Sequence, residues 1–413
     1  MLVETRGNGT MRASFIGRLL GATAISGLMA GAAMAETALL KIGVMSDMSA
    51  PYAADVGPGL VLTVKMAVQD AGGSVLGQPI EVIAADDQNK PDVGVGIAGR
   101  WIDREDVKAM VVGSISSTAL GVLKIAQPKN VTVMFAGSGA AELTGKSCTA
   151  ISTQWAYDTY SLPKAVVAPL VAEGKNTWYV IGVDYTFGHN LLDDTTKFVQ
   201  AAGGKMVGSV MHPLTTTDFS SFLLQAQGSG ANVVAFAKGG ANWTNVVKQA
   251  KEFGLTAQGQ SIVSLATGSV EVIAAGVDAA QGMLLATPFY ADRDDDSRAF
   301  SKRFAAAFNG VPPDFQQAAG YSAVNHYLKA VKAAGTTDGA KVTAAMRAMP
   351  VDDFEIKNAR IREDGQVMRP MYLARVKAPA ASRDKYDIYD IIGTIPAETA
   401  WRPASEGDCP LVK

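Results

Sequence analysis

The sequence predicts an α/β fold made of two lobes, each built on a doubly wound parallel sheet. Short β-rich runs alternate with amphipathic helical windows along most of the chain, a pattern typical of parallel sheets covered by helices on both faces. The length of 413 residues supports two lobes, because a chain of this size is long enough for two hydrophobic cores. After Tyr290 the alternation gives way to helix-rich sequence and then to a β-like tail.

The periodicity and the turn residues predict nine strands and a late hairpin. The nine strands are residues 40–45, 80–85, 109–112, 131–136, 178–183, 206–211, 233–237, 261–265 and 283–286. The hairpin pairs residues 354–362 with residues 367–376 through an Asp364-Gly365 turn. The predicted helices are residues 59–71, 92–103, 118–127, 160–173, 190–202, 243–253, 296–308, 316–334 and 341–349.

The order of these elements predicts how the chain divides into domains. Residues 36–156 with 287–350 are expected to form lobe I, and residues 157–286 with 351–378 to form lobe II. Residues 379–413 are expected to be a C-terminal tail.

Residues 1–35 are typical of a secretory signal peptide. Arg12 and Arg18 precede an apolar stretch rich in Ala and Gly that ends in Ala33-Met34-Ala35, an A-x-A cleavage pattern. We expect cleavage after Ala35 and export of a soluble protein; an uncleaved membrane anchor is the alternative. Cleavage removes three basic residues and one acidic residue, which changes the formal net charge from −2 to −4. A negative chain argues against nucleic acid and acidic membranes as partners.

The chain has only two cysteines, Cys148 and Cys409. An oxidising compartment permits their single possible pairing, so we predict one disulfide that ties the C-terminal tail to the end of lobe I. Two free buried thiols are the alternative. We expect no metal site, because ligands are few and the adjacent Asp86 and Asp87 supply too few oxygens.

The loops at the carboxyl ends of the strands are the candidate site, because ligands of open parallel sheets bind there. Ser and Gly dominate these loops in lobe I, and aromatic residues dominate them in lobe II. This division suits a carboxylate held by backbone N–H groups at helix starts, with an apolar body against the rings. For any single Ser or Gly, helix capping is the alternative interpretation. The loops are residues 46–52, 113–117, 137–139, 184–187, 238–243, 264–268 and 288–290.

Sequence motifs do not support an enzyme. Residues 94–99 match G-x-G-x-x-G, but they begin well after the predicted strand 80–85 and fall within a helix, so we expect no dinucleotide or other cofactor. The histidines are far apart in sequence, and neither a G-x-S-x-G nor an H-E-x-x-H motif occurs. The three histidines are His189, His212 and His326.

Five blocks of the sequence resemble, in consistent order, the leucine/isoleucine/valine-binding protein family, whose members are periplasmic solute receptors of ABC importers. The resemblance covers nearly the whole chain after the leader and implies a type I periplasmic-binding fold whose lobes close on a ligand by a hinge. It implies a periplasmic monomer whose partners are a small-molecule ligand and the permease subunits of an inner-membrane ABC importer. The blocks are Ile42-Gly43-Val44-Met45-Ser46 continuing to Tyr52, Val111-Val112-Gly113-Ser114, Ala140-Ala141-Glu142-Leu143-Thr144, Asp184-Tyr185-Thr186-Phe187-Gly188 and Ala250-Lys251-Glu252-Phe253-Gly254-Leu255.

The resemblance also implies ligand-binding positions. Ser116 and Ser117 match the family's hydroxyl loop, which holds the ligand carboxylate, and Ser138 and Gly139 match the small-residue loop that follows. Phe187 matches an aromatic position of the second lobe. Each match keeps a hydrogen-bond donor or a ring, so a ligand with a carboxylate is expected.

Two departures from the family concern the charge of the ligand. Amino-acid receptors of the family hold the α-ammonium with an acidic side chain in the loop that here is residues 264–268, which contain Thr267 but no carboxylate. A buried ammonium without a counter-charge is costly, so we expect an organic acid, with aromatic acids among the candidates, rather than a free amino acid. Lys238, where the family more often has a neutral residue, would add a positive group to the cleft.

Four further aromatic residues are candidates for the walls of the site. Trp155 and Tyr157 lie where the chain first passes between the lobes, and packing at the hinge is their alternative role. Tyr52 and Tyr185 lie in the loops of the two lobes.

Three other functions remain open from the sequence. The chain could bind a branched-chain or other hydrophobic amino acid or an amide, or it could be a ligand sensor for a membrane signalling partner. A hydrolase on the same scaffold is the third, and turnover by the purified protein would reveal it.

Overall fold

The computed structural model describes residues 39–384 and 386–413. The signal peptide predicted for residues 1–35, with its cleavage after Ala35, lies outside the described residues. None of the helices in the described part of the chain combines the length and the apolar character that crossing a bilayer requires. The predicted α/β class is confirmed, because these residues form two mainly parallel sheets with helices packed on them.

The first sheet has six strands in the order β2-β3-β1-β4-β5-β6. The central strand β1 is parallel to both neighbours, so that Ile42 lies opposite Val82 of β3 and Ala109 of β4. Six of the seven β1 residues are buried, as expected of an apolar strand covered on both faces. The strands are β1 Leu40–Ser46, β2 Ser74–Val75, β3 Gln78–Asp86, β4 Val107–Gly113, β5 Thr132–Phe135 and β6 Ser152–Gln154.

The second sheet has seven strands in the order β13-β12-β11-β10-β9-β7-β8. The strands from β7 to β11 pair in parallel, whereas β12 runs antiparallel to both β11 and β13. The strands are β7 Thr177–Val183, β8 Lys205–His212, β9 Val233–Ala237, β10 Ser261–Ser264, β11 Leu284–Thr287, β12 Met371–Val376 and β13 Tyr389–Ile395.

Helices connect the parallel strands, and several begin at the sheet edge where the strands end. The long helix α12 is capped by Asp314 and ends at Gly335, whose φ of 63° is a left-handed conformation that glycine adopts without strain. The helices are α1 Ala53–Val56, α2 Pro58–Asp70, α3 Pro91–Arg104, α4 Ser116–Ala126, α5 Ser161–Ala172, α6 Thr186–Ala201, α7 Ser220–Gly228, α8 Gly240–Glu252, α9 Ser269–Ala275, α10 Val277–Ala280, α11 Asp295–Ala307, α12 Phe315–Ala334, α13 Gly339–Ala348 and α14 Ala397–Ala400.

The predicted late hairpin is wrong except at its turn. Gly365 adopts a φ of 89°, and Ile361 and Val367 form an isolated antiparallel bridge, as the Asp-Gly signal indicates. The strand Met371–Val376, however, pairs with β11 and with β13, which lies in the segment predicted to be a tail. Strand partners are chosen by tertiary packing, and the alternation within one strand does not identify its neighbour. The lobe boundaries stay a prediction.

A buried ion pair lies where three segments connect the two sheets. The Arg369 guanidinium contacts the Glu355 carboxylate at 2.5 Å, and both side chains are almost fully buried. Arg369 also donates to the carbonyl oxygens of Trp155 at 3.3 Å and Pro288 at 2.8 Å. Trp155 follows β6 of the first sheet, Pro288 follows β11 of the second sheet, and Arg369 precedes β12. One guanidinium therefore joins all three connections.

The predicted disulfide between Cys148 and Cys409 is present. It fixes the C-terminal segment beside the short helical turn that precedes Cys148. Arg402 of the same segment donates to the carbonyl oxygen of Ala141 in that turn at 2.7 Å. One covalent bond and one charged hydrogen bond thereby hold the C-terminal segment against the connection between β5 and β6.

Candidate functional site

A cavity lies between loops that follow strands of the two sheets. From the first-sheet side it is lined by Tyr52, Asp55 and Val56 around α1, by residues 113–116 at the start of α4, and by Gly137. From the second-sheet side it is lined by Tyr185, Phe187, Gly239, Ala266, Thr267 and Glu271. Tyr157, Phe315 and Gln316 complete it. The cavity therefore occupies the strand-end position at which ligands of open α/β sheets bind.

Two contacts hold the loops of the two sheets together across the cavity. The hydroxyl oxygens of Tyr52 and Tyr185 lie 3.2 Å apart. The backbone N–H of Ala241 donates to the carbonyl oxygen of Pro51 at 2.8 Å. Gly240 makes this approach possible, because its φ is 64° and a Cβ atom would lie 2.5 Å from the Pro51 oxygen. The cleft is therefore closed in this structure.

Aromatic rings form one wall of the cavity. Tyr185 and Phe187 stack with ring centres 6.1 Å apart, and Tyr157 meets Phe187 and Phe315 edge to face. The Tyr157 hydroxyl donates to the carbonyl oxygen of Gly137 at 2.8 Å, which fixes that ring. Burial raises the pKa of Tyr157 well above its usual value, so the hydroxyl stays neutral. These rings offer a preformed apolar surface to a ligand.

The start of helix α4 forms a second wall. Ile115, the residue before the helix, is extended and supplies no side-chain cap, so the first-turn N–H groups of α4 are not capped by that residue. The Ser116 hydroxyl oxygen accepts from the Ala140 N–H at 3.1 Å, which leaves its own hydrogen to donate. A helix start with N–H groups and a hydroxyl favours a negatively charged group.

Carboxylates form the third wall of the cavity. Asp55 of α1 and Glu271 of α9 line it, and Asp314 lies beside them at the start of α12. Burial and the neighbouring acids raise the pKa of Asp55 well above its usual value. Burial and the charge of Asp314 raise the pKa of Glu271 to about 8, and burial raises the pKa of Asp314 to about 6. The site therefore combines the N-terminal end of α4 with a strongly acidic region.

The structure brings six of the eleven predicted site residues to the cavity. Residues that line it are Tyr52, Ser116, Tyr157, Tyr185, Phe187 and Thr267. Residues that do not line it are Ser117, Ser138, Gly139, Trp155 and Lys238. That these residues bind a ligand stays a prediction.

Two of the five remaining residues, Ser138 and Gly139, contact residues that line the cavity. The Ser138 hydroxyl donates to the carbonyl oxygen of Ser114 at 2.6 Å and so fixes the loop before α4. A Cβ atom at Gly139 would lie 2.9 Å from the ring of Phe187, so this position must stay small. Trp155 is fully buried and its indole N–H donates to Thr153 at 2.8 Å, which matches the hinge-packing alternative. Ser117, the next residue after Ser116 on α4, is half-buried.

Lys238 does not face the cleft, which corrects the prediction of a positive group there. Its side chain is fully buried, with the ammonium nitrogen 3.0 Å from His212 Nε2 and 3.6 Å from the centre of the Phe219 ring. Burial lowers the pKa of Lys238 well below its usual value, and burial together with Lys238 lowers the pKa of His212 to about 4. The Lys238 side chain therefore packs against His212 and Phe219.

Sequence reasoning missed the acidic residues of the site. Residues 264–268 contain no carboxylate, as the sequence shows. The cavity nevertheless has carboxylates, so the inference that a ligand ammonium would lack a counter-charge is wrong. Glu271 lies one helical turn later and its carboxylate accepts from the N–H of Gly268, which returns it to the same loop. The available signal was a Glu at the third position of a helix start, because such a side chain accepts from the N–H of the residue before the helix. No local signal marks Asp55, which only the packing of the two sheets brings to Glu271.

The fold and the cleft define the chain as a two-sheet α/β receptor for a small solute. Residues 40–383 match the model of the periplasmic binding protein family, and the chain belongs to that family. The predicted resemblance is confirmed, and members of this family serve transport and are not enzymes. The chain is therefore a periplasmic solute-binding protein.

Individual relatives agree with this assignment. A Pseudomonas aeruginosa protein named leucine-, isoleucine-, valine-, threonine- and alanine-binding protein is 27% identical over 82% of this chain and 89% of its own length. A periplasmic binding protein from Burkholderia mallei is similar at 42% identity and a TM-score of 0.88, over 91% of this chain and 99% of its own. A branched-chain amino acid ABC transporter periplasmic ligand-binding protein from Burkholderia xenovorans has 38% identity and a TM-score of 0.81, over 91% and 100%.

Proposed function

We propose that this protein captures a small organic solute with a carboxylate in the cleft and delivers it to the permease of an ABC importer in the inner membrane. The observation that carries the proposal is a cavity lined from both sheets and closed by the contact between Tyr52 and Tyr185. A permease can distinguish loaded from empty receptors only if the ligand shifts the population of the closed form. A ligand that touches both walls of the cleft has this effect.

The ligand is proposed to place its carboxylate at the start of α4 and its apolar body against Tyr157, Tyr185 and Phe187. The N–H groups of the first turn and the Ser116 hydroxyl supply the donors. An aromatic or branched aliphatic body fits the ring surface. Asp55 and Glu271 line the cavity, so the lack of a carboxylate in residues 264–268 does not argue against a free amino acid as the ligand.

A thermal-shift screen of the protein purified from a periplasmic extract tests the capture of a solute. The panel contains aromatic acids, aliphatic acids, amides and amino acids, since a ligand bound only by the folded state raises the melting temperature. The intact mass of the same sample shows whether cleavage follows Ala35. Its elution volume in size-exclusion chromatography shows whether the protein is a monomer.

Ser116 and Ser117 provide a matched pair of variants for the carboxylate end. We expect Ser116→Ala to weaken binding of the ligand found in the screen by about three- to tenfold, because one hydrogen bond to a charged group is lost. Ser117→Ala, one residue further from the cavity, is expected to leave affinity unchanged. Equal effects of the two variants would contradict the placement of the carboxylate.

Delivery to an importer has a separate test. Deletion of the gene for this chain in its source organism is expected to abolish uptake of the radiolabelled ligand at low concentration, and the wild-type gene to restore it. Uptake that continues unchanged would contradict a role in import.

A further inference from the structure

The disulfide between Cys148 and Cys409 joins segments that belong to different sheets. Cys148 lies between β5 and β6 of the first sheet, whereas Cys409 follows β13, the edge strand of the second sheet. The two cysteines are 261 positions apart, and the ring of chain that their bond closes contains every strand of the second sheet. Three main-chain segments connect the sheets near Arg369. The disulfide makes residues 396–409 a fourth covalent connection.

The fourth connection begins beside the other three and then follows the first sheet. The indole N–H of Trp401 donates to the carbonyl oxygen of Arg369 at 2.7 Å, and the Trp401 side chain is buried. From there the Arg402 guanidinium donates at 2.7 Å to the carbonyl oxygen of Ala141, in the connection between β5 and β6. Residues 401–409, which we call the strap, therefore lie along the first sheet although they follow a strand of the second.

The strap packs tightly on the connection between β5 and β6. A Cβ atom at Gly145 of this connection would lie only 2.6 Å from the carbonyl oxygen of Gly407 in the strap, so the two backbones are in direct contact. Cys148 and Cys409 are each 5% exposed, which gives a reducing thiol little access to the sulfur atoms. The disulfide is thus a permanent attachment and not an exposed redox switch.

The strap also faces α6, a helix that packs on the second sheet. Phe187 in the first turn of α6 forms part of the aromatic wall of the ligand cavity. The Glu406 carboxylate of the strap lies 3.4 Å from the Lys197 ammonium of α6. Asp194 of the same helix and Arg402 of the strap line a shared surface cavity of about 260 Å³. A segment that is covalently attached to the first sheet's connection therefore meets the helix that brings Phe187 to the ligand cavity.

The ion pair alone contributes little to this contact, because the Lys197 and Glu406 side chains are 59% and 48% exposed. The disulfide matters more, since it holds the strap in position before α6 meets it. Contact with a preorganised surface loses less conformational entropy than contact with a free chain end. Separation of the two sheets would carry α6 away while the strap stays bonded to Cys148, so the contact stabilises the closed cleft.

We propose that the disulfide holds the strap as a docking surface for α6 and thereby shifts the cleft toward its closed form. This inference goes beyond solute capture, because it concerns the empty protein and does not depend on which solute binds. Without the bond, residues 402–413 are a chain end that must be ordered each time the cleft closes. The closed form then loses part of its stability, and the open population rises.

Amide hydrogen exchange of the ligand-free protein tests the inference. The Ala241 N–H donates to the Pro51 carbonyl oxygen across the closed cleft, so its exchange measures opening. In Cys148→Ala/Cys409→Ala we expect the Ala241 N–H to exchange at least about threefold faster than in the wild type, as measured by mass spectrometry. Amides of the buried strand β9 exchange through global unfolding, and their much slower exchange in both proteins shows that each is folded. Small-angle X-ray scattering should show a larger radius of gyration for the variant.

Val331→Ala separates closure from general stability. Val331 is fully buried on α12, about 24 Å along the helix from Phe315 at the cavity, so its truncation lowers the melting temperature without touching the strap. We expect Val331→Ala to leave the exchange of the Ala241 N–H and the radius of gyration at their wild-type values.

A second pair of variants keeps the disulfide and decides the question alone if the cysteine variant does not fold. Lys197→Glu places two negative charges opposite each other, on α6 and on the strap, and is expected to speed the exchange of the Ala241 N–H by about twofold. Lys205→Glu makes the same change of charge at the exposed first position of β8 and is expected to have no effect.

Three outcomes would overturn the inference. Unchanged exchange of the Ala241 N–H in the cysteine variant and in Lys197→Glu would show that the disulfide only stabilises the fold. Slower exchange, or a smaller radius of gyration, would mean that the strap holds the cleft open. Equal acceleration by Val331→Ala and by the cysteine variant would assign the effect to global stability. None of these outcomes depends on whether a solute of the screen binds.

Discussion

The hydroxyl groups of Tyr52 and Tyr185 meet at 3.2 Å across the cleft, one following β1 of the first sheet and the other following β7 of the second. Burial and the contact with Tyr185 raise the pKa of Tyr52 well above its usual value, so both hydroxyls stay neutral and one donates to the other. Opening of the cleft about a hinge would separate the two loops and break this contact. The contact therefore adds its free energy to the closed form alone.

The first prediction concerns this contact. Tyr52→Phe or Tyr185→Phe keeps the ring but removes the hydrogen bond, and is expected to weaken ligand binding by about 0.5–1.5 kcal/mol. The double variant should lose little more than either single variant, because the two changes remove the same interaction. Calorimetry with the ligand from the screen measures all four proteins. Losses that simply add would show that each hydroxyl acts independently.

The second prediction concerns the pH dependence of folding. The pKa of Glu271 is about 8 in the folded protein and 4.5 as the reference value, so between these pH values the folded chain holds a proton that the unfolded chain releases. The free energy of unfolding therefore decreases progressively as the pH rises from about 4.5 to 8, because the bound proton stabilises the folded chain at lower pH. Glu271→Gln should reduce the pH dependence over that window. Urea denaturation of the ligand-free proteins at pH 5, 6.5 and 8.5 measures it, and parallel curves would contradict it.

The third prediction concerns Lys238. Its side-chain nitrogen is buried beside His212 and Phe219, and no carboxylate of the described residues forms an ion pair with it. Lys238→Met therefore removes a costly buried amine while it keeps most of the packing volume. We expect the protein to gain about 1 kcal/mol of stability at pH 7 and to keep its ligand affinity. Lys248→Met, at an exposed position of α8, is the control and should change neither. A large loss of affinity in Lys238→Met would place this lysine in the site after all.

The fourth prediction concerns the ion pair between Arg369 and Glu355. Arg369→Met leaves Glu355 buried and unpaired and frees the carbonyl oxygens of Trp155 and Pro288, so a loss of about 3–5 kcal/mol in the free energy of unfolding is expected. The double variant with Glu355→Gln should recover part of that loss, because no unpaired charge remains. Urea denaturation measures both proteins. A double variant less stable than Arg369→Met would argue against an unpaired charge as the cause.

Sequence reasoning succeeded for features that are local or that have few solutions. The alternation of apolar runs and amphipathic windows predicts strands such as Val233–Ala237 and helices such as Phe315–Ala334, because each element carries its own periodicity. Two cysteines allow one pairing, and Cys148 and Cys409 form it. The family also follows from blocks of sequence in consistent order, whose match to the periplasmic binding protein model spans residues 40–383.

The composition of the site was decided only by the tertiary structure. Lys238 follows a strand in the sequence, as a cleft residue should, but its side chain packs toward His212. Asp55 and Glu271 become neighbours because loops of two different sheets meet when the cleft closes, and no spacing in the sequence encodes that distance. The sequence by itself determined the α/β class and the family of solute-binding proteins to which this chain belongs. The electrostatic character of the cleft depends on contacts between residues remote along the chain, and these are set by how the sheets pack.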